Sequence, residues 1–561
     1  MKNLEVYAKA ISKAVNHQLE TEAIQQLIEK PNFEEQGDLA FPCFALAKKM
    51  RKSPAKIAEE LAPLIQHPAF EKVVAEGPYV NAFFNKSETS KNVLEEILAQ
   101  GSDYGQRDFG EGKNIVIDFS SPNIAKPFSM GHLRSTVIGN SLSKIVEKCG
   151  YQAVKINHLG DWGTQFGKLM VAYKLWGDEE LVKKQPIKEL LELYVRFHQE
   201  AEKDPRLNDE ARGWFKKLED GNEEAHKLWL WFKDESLQEF NKIYKLLGVE
   251  FDSHHGEAFY NDKMQATIEL LKEKKLMTLS QGAEVVDLSE FAMPPLLVRK
   301  SDGATLYATR DLTAALYRQE NYQFAKALYV VGQEQTLHFK QLFCTLEKMG
   351  YGWAKDMEHV PFGFILKNGK KMSTRKGGLV LLENVLKEAI ELAERNIAEK
   401  NQLLEHKEQV AEMVGVGAVI FHDLRSGRQN NVEFSLEDML RFEGATGPYV
   451  QYTHARACSI LRKAGVEIGT VEEMNDTHSW QVVKRLMEFP ETIERSFHQN
   501  EPSHIAKYVL ELAQEFNKYY GKVKILNNDA DQAGRLALVN AAAIVLEEGL
   551  RLLGIKAPQQ M

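Results

Sequence analysis

The chain has 561 residues, of which 43% are hydrophobic and 27% are charged, and its formal net charge is −9. At about 150 residues per domain, this length predicts three or four domains with separate cores. The acidic balance is not typical of a uniformly basic nucleic-acid-binding protein, although an RNA partner needs only one positive face. The 4 cysteines stand singly, which argues against a zinc site and against a disulfide framework.

The remaining global features concern targeting. No stretch of about 18 residues is apolar throughout, so we expect no membrane span. The N-terminal segment MKNLEVYAKAISKAVNHQLE predicts an amphipathic helix and not a secretion signal. Together with the cysteine pattern, these features predict a cytoplasmic protein.

Residues 1–105 predict a small α+β domain. Ser53 followed by Pro54 is a typical helix start, with serine as the N-cap and proline in the first helical position. The segment YVNAFFN, residues 79–85, predicts a strand, and a run rich in glycine and charge then predicts a linker to the next domain.

From residue 106 short apolar runs alternate with helical stretches, which is typical of a doubly wound, Rossmann-type α/β domain. The predicted parallel strands are residues 114–119, 153–157, 327–331 and 359–366. A charged, mainly helical insertion is predicted at about residues 168–290, and the α/β domain is expected to end near residue 380. Helical periodicity then predicts a connector over residues 381–440 and an all-α bundle over 441–561, with a central helix at residues 536–553.

Two segments carry candidate phosphate-binding residues. SSPNIAKPFSMGHLR, residues 120–134, joins a predicted strand to a helix, whose N-terminus offers free N–H groups beside Gly131 and His132. KKMSTRKGG, residues 370–378, combines four basic residues with serine, threonine and glycine. Each segment alone also fits an ordinary turn, but both follow strands of one predicted parallel sheet, where ligands bind.

These two segments resemble signatures of the class I aminoacyl-tRNA synthetases. FSMGH, residues 128–132, is similar to the HIGH signature, and KMSTRKG, residues 371–377, is similar to the KMSK loop. The lead-in DFSSPNIAKPF, residues 118–128, resembles the arginyl branch, and further similar segments are GDLAF (37–41), YATRD (307–311), GQEQ (332–335) and TGPYVQY (446–452). The resemblance covers essentially the whole chain and identifies it as a member of the arginyl-tRNA synthetase family.

The resemblance implies that ATP, with Mg²⁺, and arginine form arginyl-adenylate, and that arginine then moves to the terminal adenosine of tRNA(Arg). Catalytic roles are expected for His132, Lys371 and Lys126. ATP contacts are expected from Ser120, Ser129, Met130, Gly131, His132, Lys371, Met372 and Ser373. Arginine contacts are expected from Asp118, Asn123, Tyr307, Asp311 and Gln335. Tyr449, Tyr452 and Arg456 of the bundle are expected to bind tRNA, as is the N-terminal domain at the corner of the tRNA.

We expect no zinc, no membrane association and a monomer. Single residues also have structural interpretations: Asp311 fits a helix N-cap, Tyr307 fits sheet packing, and the bundle tyrosines fit the bundle core. Only the joint match favours binding roles for them.

The sequence departs from the family signatures at two positions. Ser129 stands where the HIGH signature has its first histidine, and Thr374 stands where the KMSK loop has its second lysine. Loss of one charge-assisted hydrogen bond costs roughly 1.5–3 kcal/mol if nothing replaces it. Lys126 or Lys376 could supply the missing positive charge.

Two alternative functions remain open at this point. A non-catalytic RNA-binding relative would explain the two departures, and a class I nucleotidyl transferase for a small molecule would explain the α/β domain. The first alternative predicts loss of the arginine-binding residues, which are present, and the second leaves the helical bundle and the N-terminal domain without a role. We therefore favour the ligase.

Overall fold

The computed structural model describes residues 2–126, 128–301, 307–372, 380–465, 474, 476–527 and 529–561. The chain divides into two compact units. The first comprises Met1–Tyr104, Arg456–Pro490 and Glu511–Leu546, and the second comprises Gly105–Ala455, Glu491–Leu510 and Glu547–Met561. Each unit therefore combines segments that are far apart in the sequence.

Residues 2–104 form a small α+β structure. Its helices are α1 (Lys2–Ala14), α2 (Thr21–Leu27), α3 (Phe44–Met50), α4 (Pro54–Leu61) and α5 (Lys86–Gln100). The strands β1 (Leu39–Pro42), β2 (Phe70–Glu76) and β3 (Tyr79–Phe84) form an antiparallel sheet in the order β1-β3-β2. The predicted helix start at Ser53 is confirmed, because its side chain accepts a hydrogen bond from the Lys56 N–H at 3.4 Å. The predicted strand at residues 79–85 is confirmed as well.

The second unit begins with two strand–helix pairs. β4 (Asn114–Asp118) leads into α6 (Met130–Lys148), and β5 (Gln152–Ile156) leads into α7 (Thr164–Trp176). β4 and β5 pair in parallel. Ile115, Val116 and Ile117 are all buried, which explains why β4 is continuously apolar instead of alternating. Helix α6 packs directly on the end of this strand.

The insertion that follows is helical at first. Its helices are α8 (Glu179–Lys184), α9 (Pro186–Lys203), α10 (Arg206–Glu219), α11 (Glu223–Leu247) and α12 (Met264–Glu273). An antiparallel sheet follows, made of β6 (Met277–Ser280), β7 (Ala283–Val286) and β8 (Leu296–Arg299). The helical part of the insertion therefore ends at Glu273, earlier than expected, and Lys275 just beyond it has a φ of 57°. Gln281 and Gly282, with φ values of 50° and 81°, make the tight turn of the hairpin that follows.

The chain then returns to the parallel sheet through α13 (Tyr307–Tyr322), β9 (Lys326–Tyr329), α14 (Thr336–Lys348) and β10 (Met357–His359). The strand order is β10-β9-β4-β5, and all three pairings are parallel. β11 (Ile365–Lys367) and β12 (Lys370–Lys371) belong to a separate small sheet. The predicted doubly wound α/β domain is confirmed.

One strand prediction was wrong. The apolar run of residues 359–366 is not one strand, because β10 ends at His359 and β11 begins at Ile365. Pro361 has no N–H for the sheet, and its carbonyl instead accepts a hydrogen bond from Arg428 Nη1 at 2.7 Å. The backbone at Gly363 also approaches the Asn430 carbonyl so closely that a side chain would not fit. The run is therefore divided between two sheets.

The remaining chain is almost entirely helical, as predicted. The helices are α15 (Leu382–Lys400), α16 (Lys407–Leu424), α17 (Leu436–Met439), α18 (Gly447–Ala464), α19 (Thr477–Met487), α20 (Phe489–Gln499), α21 (Ser503–Lys522) and α22 (Gln532–Leu552). A short strand, β13 (Val432–Glu433), pairs in parallel with β11. α22 is buried on most sides, as predicted for a central helix. Over the described residues, none of the helices has the length and apolarity that a bilayer crossing requires.

Replacing Gly139 of α6 with alanine should destabilise the second unit. The new Cβ would lie 2.2 Å from the Phe119 ring, just beyond the end of β4. Overpacking of this kind costs about 1–3 kcal/mol. The matched control is Gly213→Ala on α10, where the new Cβ meets nothing within 4 Å, so stability should rise by up to about 1 kcal/mol. Chemical denaturation measures both, and an unchanged midpoint for Gly139→Ala would contradict the close packing.

A candidate active site at the carboxyl edge of the parallel sheet

The chain adds strands first on one side of β4 and then on its other side. The strand β5 lies on one side of β4, and β9 lies on the other. Ligands of doubly wound sheets bind beyond the carboxyl ends of the strands at such a switch point. β4 ends at Asp118 and β9 ends at Tyr329, so the loops after these strands border the candidate site.

The loop between β4 and α6 has an unusual backbone. Ser120, Ser121 and Ala125 have φ values of 72°, 50° and 58°, in the left-handed region that favours glycine. The Ser120 N–H donates to Ser135 Oγ, Thr136 Oγ1 donates to Ser120 Oγ, and Ser120 Oγ also bonds the Tyr244 hydroxyl, each at 2.8 Å. The buried Ser120 side chain is thus engaged within the protein, and its expected ATP contact stays a prediction.

His132 lies in the first turn of α6, behind Ser129 at the N-cap. The Ser129 N–H donates to His132 Nδ1 at 3.1 Å, so the neutral ring carries its proton on Nε2. Burial lowers the pKa of His132 to about 4, and the charge of Lys126 adds to this shift. His132 is therefore a neutral N–H donor at physiological pH.

Lys126 and Gly131 complete this end of the site. Lys126 is half-buried, and burial lowers the pKa of its amine without an acidic neighbour to oppose the shift among the described residues. Gly131 is exposed, and a Cβ added to it would meet only Ser129 Oγ, at 3.4 Å, so the start of α6 is open to a ligand. Met130, by contrast, is buried. A positive, uncompensated side chain beside an open helix N-terminus suits an anion.

The first two residues of the KMSK-like loop contact neighbouring segments. Lys371 Nζ lies 2.6 Å from Glu334 Oε1 and 3.7 Å from the centre of the Phe364 ring. Met372 follows Lys371 and donates its N–H to the Ile365 carbonyl at 3.1 Å. Ser373, Thr374 and Lys376 lie outside the described residues.

The segment that begins at Val380, after this loop, contacts the HIGH-like segment. The Leu382 N–H donates to the Phe128 carbonyl at 3.0 Å, and the Met130 N–H donates to the Val380 carbonyl at 3.3 Å. Two backbone hydrogen bonds thus tie the segment after the KMSK-like loop to the HIGH-like segment.

Asp118 already has a cationic partner. Its Oδ2 lies 2.8 Å from Arg318 Nη2, and both side chains are buried. Its Oδ1 accepts a hydrogen bond from the Ser121 hydroxyl at 3.0 Å. The chain itself therefore supplies a guanidinium to this carboxylate, and the expected contact of Asp118 with substrate arginine stays a prediction.

Asp311 is partnered by a histidine. Asp311 Oδ2 lies 2.6 Å from Nε2 of His338, and both side chains are partly exposed. Burial raises the pKa of Asp311, but the hydrogen bond with His338 and nearby positive groups outweigh burial and lower it overall. Burial lowers the pKa of His338, but the hydrogen bond and charge of Asp311 raise it overall. Asp311 is therefore an ionised carboxylate that a ligand can reach.

Three further side chains expected to bind arginine are exposed. Tyr307 begins α13 and is 68% exposed, and Gln335 lies just before α14. Asn123 forms a backbone bridge with Gly160, where an added Cβ would lie 2.4 Å from Asn123 Oδ1. The structure thus leaves all three accessible, and their contacts with arginine stay predictions.

Arg318, His338 and His158 were not among the residues predicted from the sequence. Arg318 follows Asp311 by seven residues and thus lies on the same face of α13. This spacing is the sequence feature that could have indicated a role for Arg318 in the site. His158 follows β5, and burial lowers its pKa, while Asp118 opposes that shift. Nothing in the sequence pairs these side chains with the two aspartates.

The residues expected to bind tRNA lie on α18. Tyr449 and Tyr452 are half-buried, and the Tyr452 ring lies edge-on to Phe442 with centroids 6.3 Å apart. Arg456 donates to Asn517 Oδ1 and lies over the Tyr520 ring, 4.8 Å from its centre. Aromatic and guanidinium surfaces of this kind stack with unpaired bases, but the tRNA contacts stay predictions.

The sequence matches three described families. Residues 93–436 match the tRNA synthetases class I (R), catalytic domain, which covers more than half of the chain. The chain belongs to the arginyl-tRNA synthetases, a family of class I aminoacyl-tRNA ligases. Residues 450–561 match the DALR anticodon binding domain, and residues 5–84 match the arginyl tRNA synthetase N terminal domain.

Individual arginyl-tRNA synthetases agree with this assignment. The arginine–tRNA ligase 1 of Bacillus cereus is 61% identical over 556 residues, which cover 99% of each protein. The Plasmodium falciparum arginyl-tRNA synthetase structure has a TM-score of 0.82 at 25% identity and covers 100% of this chain and 98% of its own. The Thermus thermophilus structure has a TM-score of 0.81 at 25% identity, with 99% of each chain covered. The predicted family, fold class and ligase activity are confirmed.

Replacing Lys126 with alanine should slow arginine activation. A positioned charge–phosphate contact is worth roughly 1.5–3 kcal/mol, so kcat should fall at least about tenfold. The pKa of His132 should rise, because the charge of Lys126 lowers it. Steady-state kinetics and NMR titration of the His132 ring measure the two effects. We expect a smaller loss for Lys376→Ala, and the reverse order would move the compensating charge to the KMSK-like loop.

Proposed function

We propose that the chain activates L-arginine with ATP, releases diphosphate, and transfers the arginyl group to the 3′-terminal adenosine of tRNA(Arg). The observation that carries this proposal is the division of the site into a cationic and an acidic end. Lys126 lies in the loop before α6 and its charge acts on His132 in the first turn of that helix, whereas Asp118 ends β4 and Asp311 lies on α13. A nucleotide phosphate suits the first end, and a guanidinium suits the second.

The cationic end can stabilise the activation step. The arginine carboxylate attacks the α-phosphorus of ATP, and negative charge moves to the departing diphosphate. We propose that His132 donates its Nε2–H to a phosphate oxygen and that Lys126 supplies a nearby positive charge. The Lys371 amine lies 2.6 Å from Glu334. We propose that the lysine breaks this ion pair and contacts the diphosphate instead. The protein then contributes positioning and electrostatic stabilisation rather than covalent chemistry.

Nucleotide contacts follow the same surface. We propose that Gly131 and Met372 border the ATP, and that Ser120, Ser129 and Met130, which are all buried, support this border from within the protein. The contact expected from Ser373 lies outside the described residues. Mg²⁺ enters as part of the MgATP substrate.

The acidic end selects arginine over lysine. A guanidinium presents its N–H groups as a planar fork that matches a carboxylate, whereas an ammonium is a point charge. Asp311 is the better candidate for this contact, because the buried Arg318 already neutralises Asp118. We propose that Tyr307, Asn123 and Gln335 complete the arginine site around Asp311.

The other parts of the chain would bind tRNA. We propose that residues 1–105 contact the corner of the tRNA and that the bundle of residues 441–561 binds the anticodon, with Tyr449, Tyr452 and Arg456 contacting bases. Residues 381–440 would connect this bundle to the catalytic domain of residues 106–380. We further propose that the protein is a cytoplasmic monomer.

Aminoacylation of total tRNA with each standard amino acid tests the function. Arginine alone should be attached, and lysine should not. Asp311→Asn should raise the KM for arginine at least about tenfold, because the bound cation loses its counter-charge. Asp209→Asn on α10 is the matched control, since this carboxylate is exposed and forms an ion pair with Arg212 of its own helix. An unchanged KM for arginine in Asp311→Asn would refute the proposed arginine site.

Activity should need Mg²⁺ but no zinc. Groups of three or more histidine, cysteine, aspartate or glutamate side chains that could hold a metal are absent from the described part of the chain. Elemental analysis of the purified protein should therefore find zinc well below one atom per chain. Treatment with a zinc chelator, followed by excess Mg²⁺, should leave aminoacylation unchanged. Stoichiometric zinc whose removal ends activity would contradict this proposal.

A further inference from the structure

His338 lies in the first turn of a firmly held helix. α14 begins at Thr336, and the residue after His338, Phe339, stacks on His359 with ring centroids 4.7 Å apart. Phe339 also packs against Tyr329, at 5.1 Å between centroids. The imidazole of His338 is thus carried by a rigid element toward Asp311 of the neighbouring helix α13, where Nε2 meets Oδ2 at 2.6 Å.

We propose that His338 is a positioning residue for arginine recognition: it donates its Nε2–H to Asp311 Oδ2 and holds the carboxylate in the orientation that receives the substrate guanidinium. This inference rests on the proposed role of Asp311. An ionised carboxylate has about four lone-pair positions, so this hydrogen bond leaves Oδ1 and part of Oδ2 free for a two-pronged contact. Without the histidine, the carboxylate would rotate, and arginine would have to order it on binding.

The charge of His338 should also affect binding. A neutral imidazole leaves the full negative charge of Asp311 for the substrate, whereas an imidazolium neutralises it and competes with the guanidinium. The pKa of His338 lies above its ordinary value, since the bond and charge of Asp311 outweigh burial. The KM for arginine should therefore fall as the pH rises through the pKa of His338.

Other titratable and charged groups face this pair from the surrounding elements. They are His158 after β5, Arg318 on α13, His359 at the end of β10, Tyr329 at the end of β9, and Glu257 before α12. Burial raises the pKa of Glu257 to about 7, against the charge of Arg310. Its ionisation adds negative charge near Asp311 as the pH rises, so it should also lower the KM for arginine. The contributions of Glu257 and His338 to the pH dependence of this KM must therefore be measured separately.

Two substitutions of His338 distinguish positioning from a merely structural role. His338→Gln keeps an N–H donor without a titratable charge, and His338→Leu removes the donor. At pH 8 the leucine variant should raise the KM for arginine at least about fivefold, with kcat and the KM for ATP unchanged within about twofold, because the contact is remote from the reacting carboxylate. At pH 8 the glutamine variant should have the wild-type KM for arginine. The part of the pH dependence of this KM that the titration of His338 causes should be absent from the glutamine variant. Glu257→Gln should keep that part.

The matched control is His498→Gln, because His498 also faces a carboxylate, Glu494, at 3.9 Å, and is exposed on α20. Its arginine KM and pH profile should equal those of the wild type. A wild-type arginine KM in His338→Leu at every pH would overturn the inference, as would a glutamine variant as impaired as the leucine variant. Asp311→Asn distinguishes failure of this inference from failure of the proposed arginine site. If Asp311→Asn raises the KM for arginine and His338→Leu does not, only the role of His338 is refuted. If Asp311→Asn leaves this KM unchanged, the proposed arginine site is refuted.

Discussion

Buried hydroxyl groups hold the loop between β4 and α6 in a left-handed turn, and both ends of the site depend on that loop. Ser135 of α6 accepts the Ser120 N–H and donates its own hydroxyl to the Val330 carbonyl after β9, at 2.8 and 2.7 Å. The Tyr244 hydroxyl of α11 also forms a hydrogen bond with Ser120 Oγ of this loop. Left-handed non-glycine residues persist only where the surroundings over-determine them. This turn places Asp118 on one side and Lys126 and His132 on the other.

Buried ion pairs fix the helix that carries His132. Arg134, near the start of α6, lies 3.0 Å from Asp423 of α16, and Lys148, at its end, lies 2.9 Å from Glu548 of α22. All four side chains are buried, so loss of one partner would strand a charge at a cost of about 3–5 kcal/mol. The pairs therefore contribute to a defined position of α6 more than to net stability. The phosphate contact proposed for the start of α6 needs such a position, because contacts of this kind act only at short range.

The serine in the HIGH-like segment has a structural explanation. Ser129 occupies the N-cap of α6, and its backbone N–H and its hydroxyl lie 3.1 and 3.2 Å from His132 Nδ1, which keeps the histidine proton on Nε2. The N–H contact does not depend on the side chain at position 129, but the hydroxyl contact is specific to serine. The substitution therefore removes one imidazole and adds a hydroxyl contact to the other. Lys126 remains the proposed source of the compensating positive charge, and burial is what lowers the pKa of its amine. The departure therefore gives little support to the alternative of an RNA-binding relative without catalysis.

The sequence by itself determined the strands β4 and β9, because each is a short run of mostly buried residues in a parallel sheet, and it also determined the half-buried edge strand β5. It determined the family, because its signature segments are local. It did not determine the end of the sheet, since an apolar run of residues 359–366 shows hydrophobicity but not the break at Pro361. Nor did it determine the charge partners in the site. Asp118 and Arg318 are 200 positions apart, and Asp311 meets His338 across two helices. Such pairings depend on which elements the tertiary fold brings together, because electrostatic contacts follow distance in space and leave no local pattern along the chain.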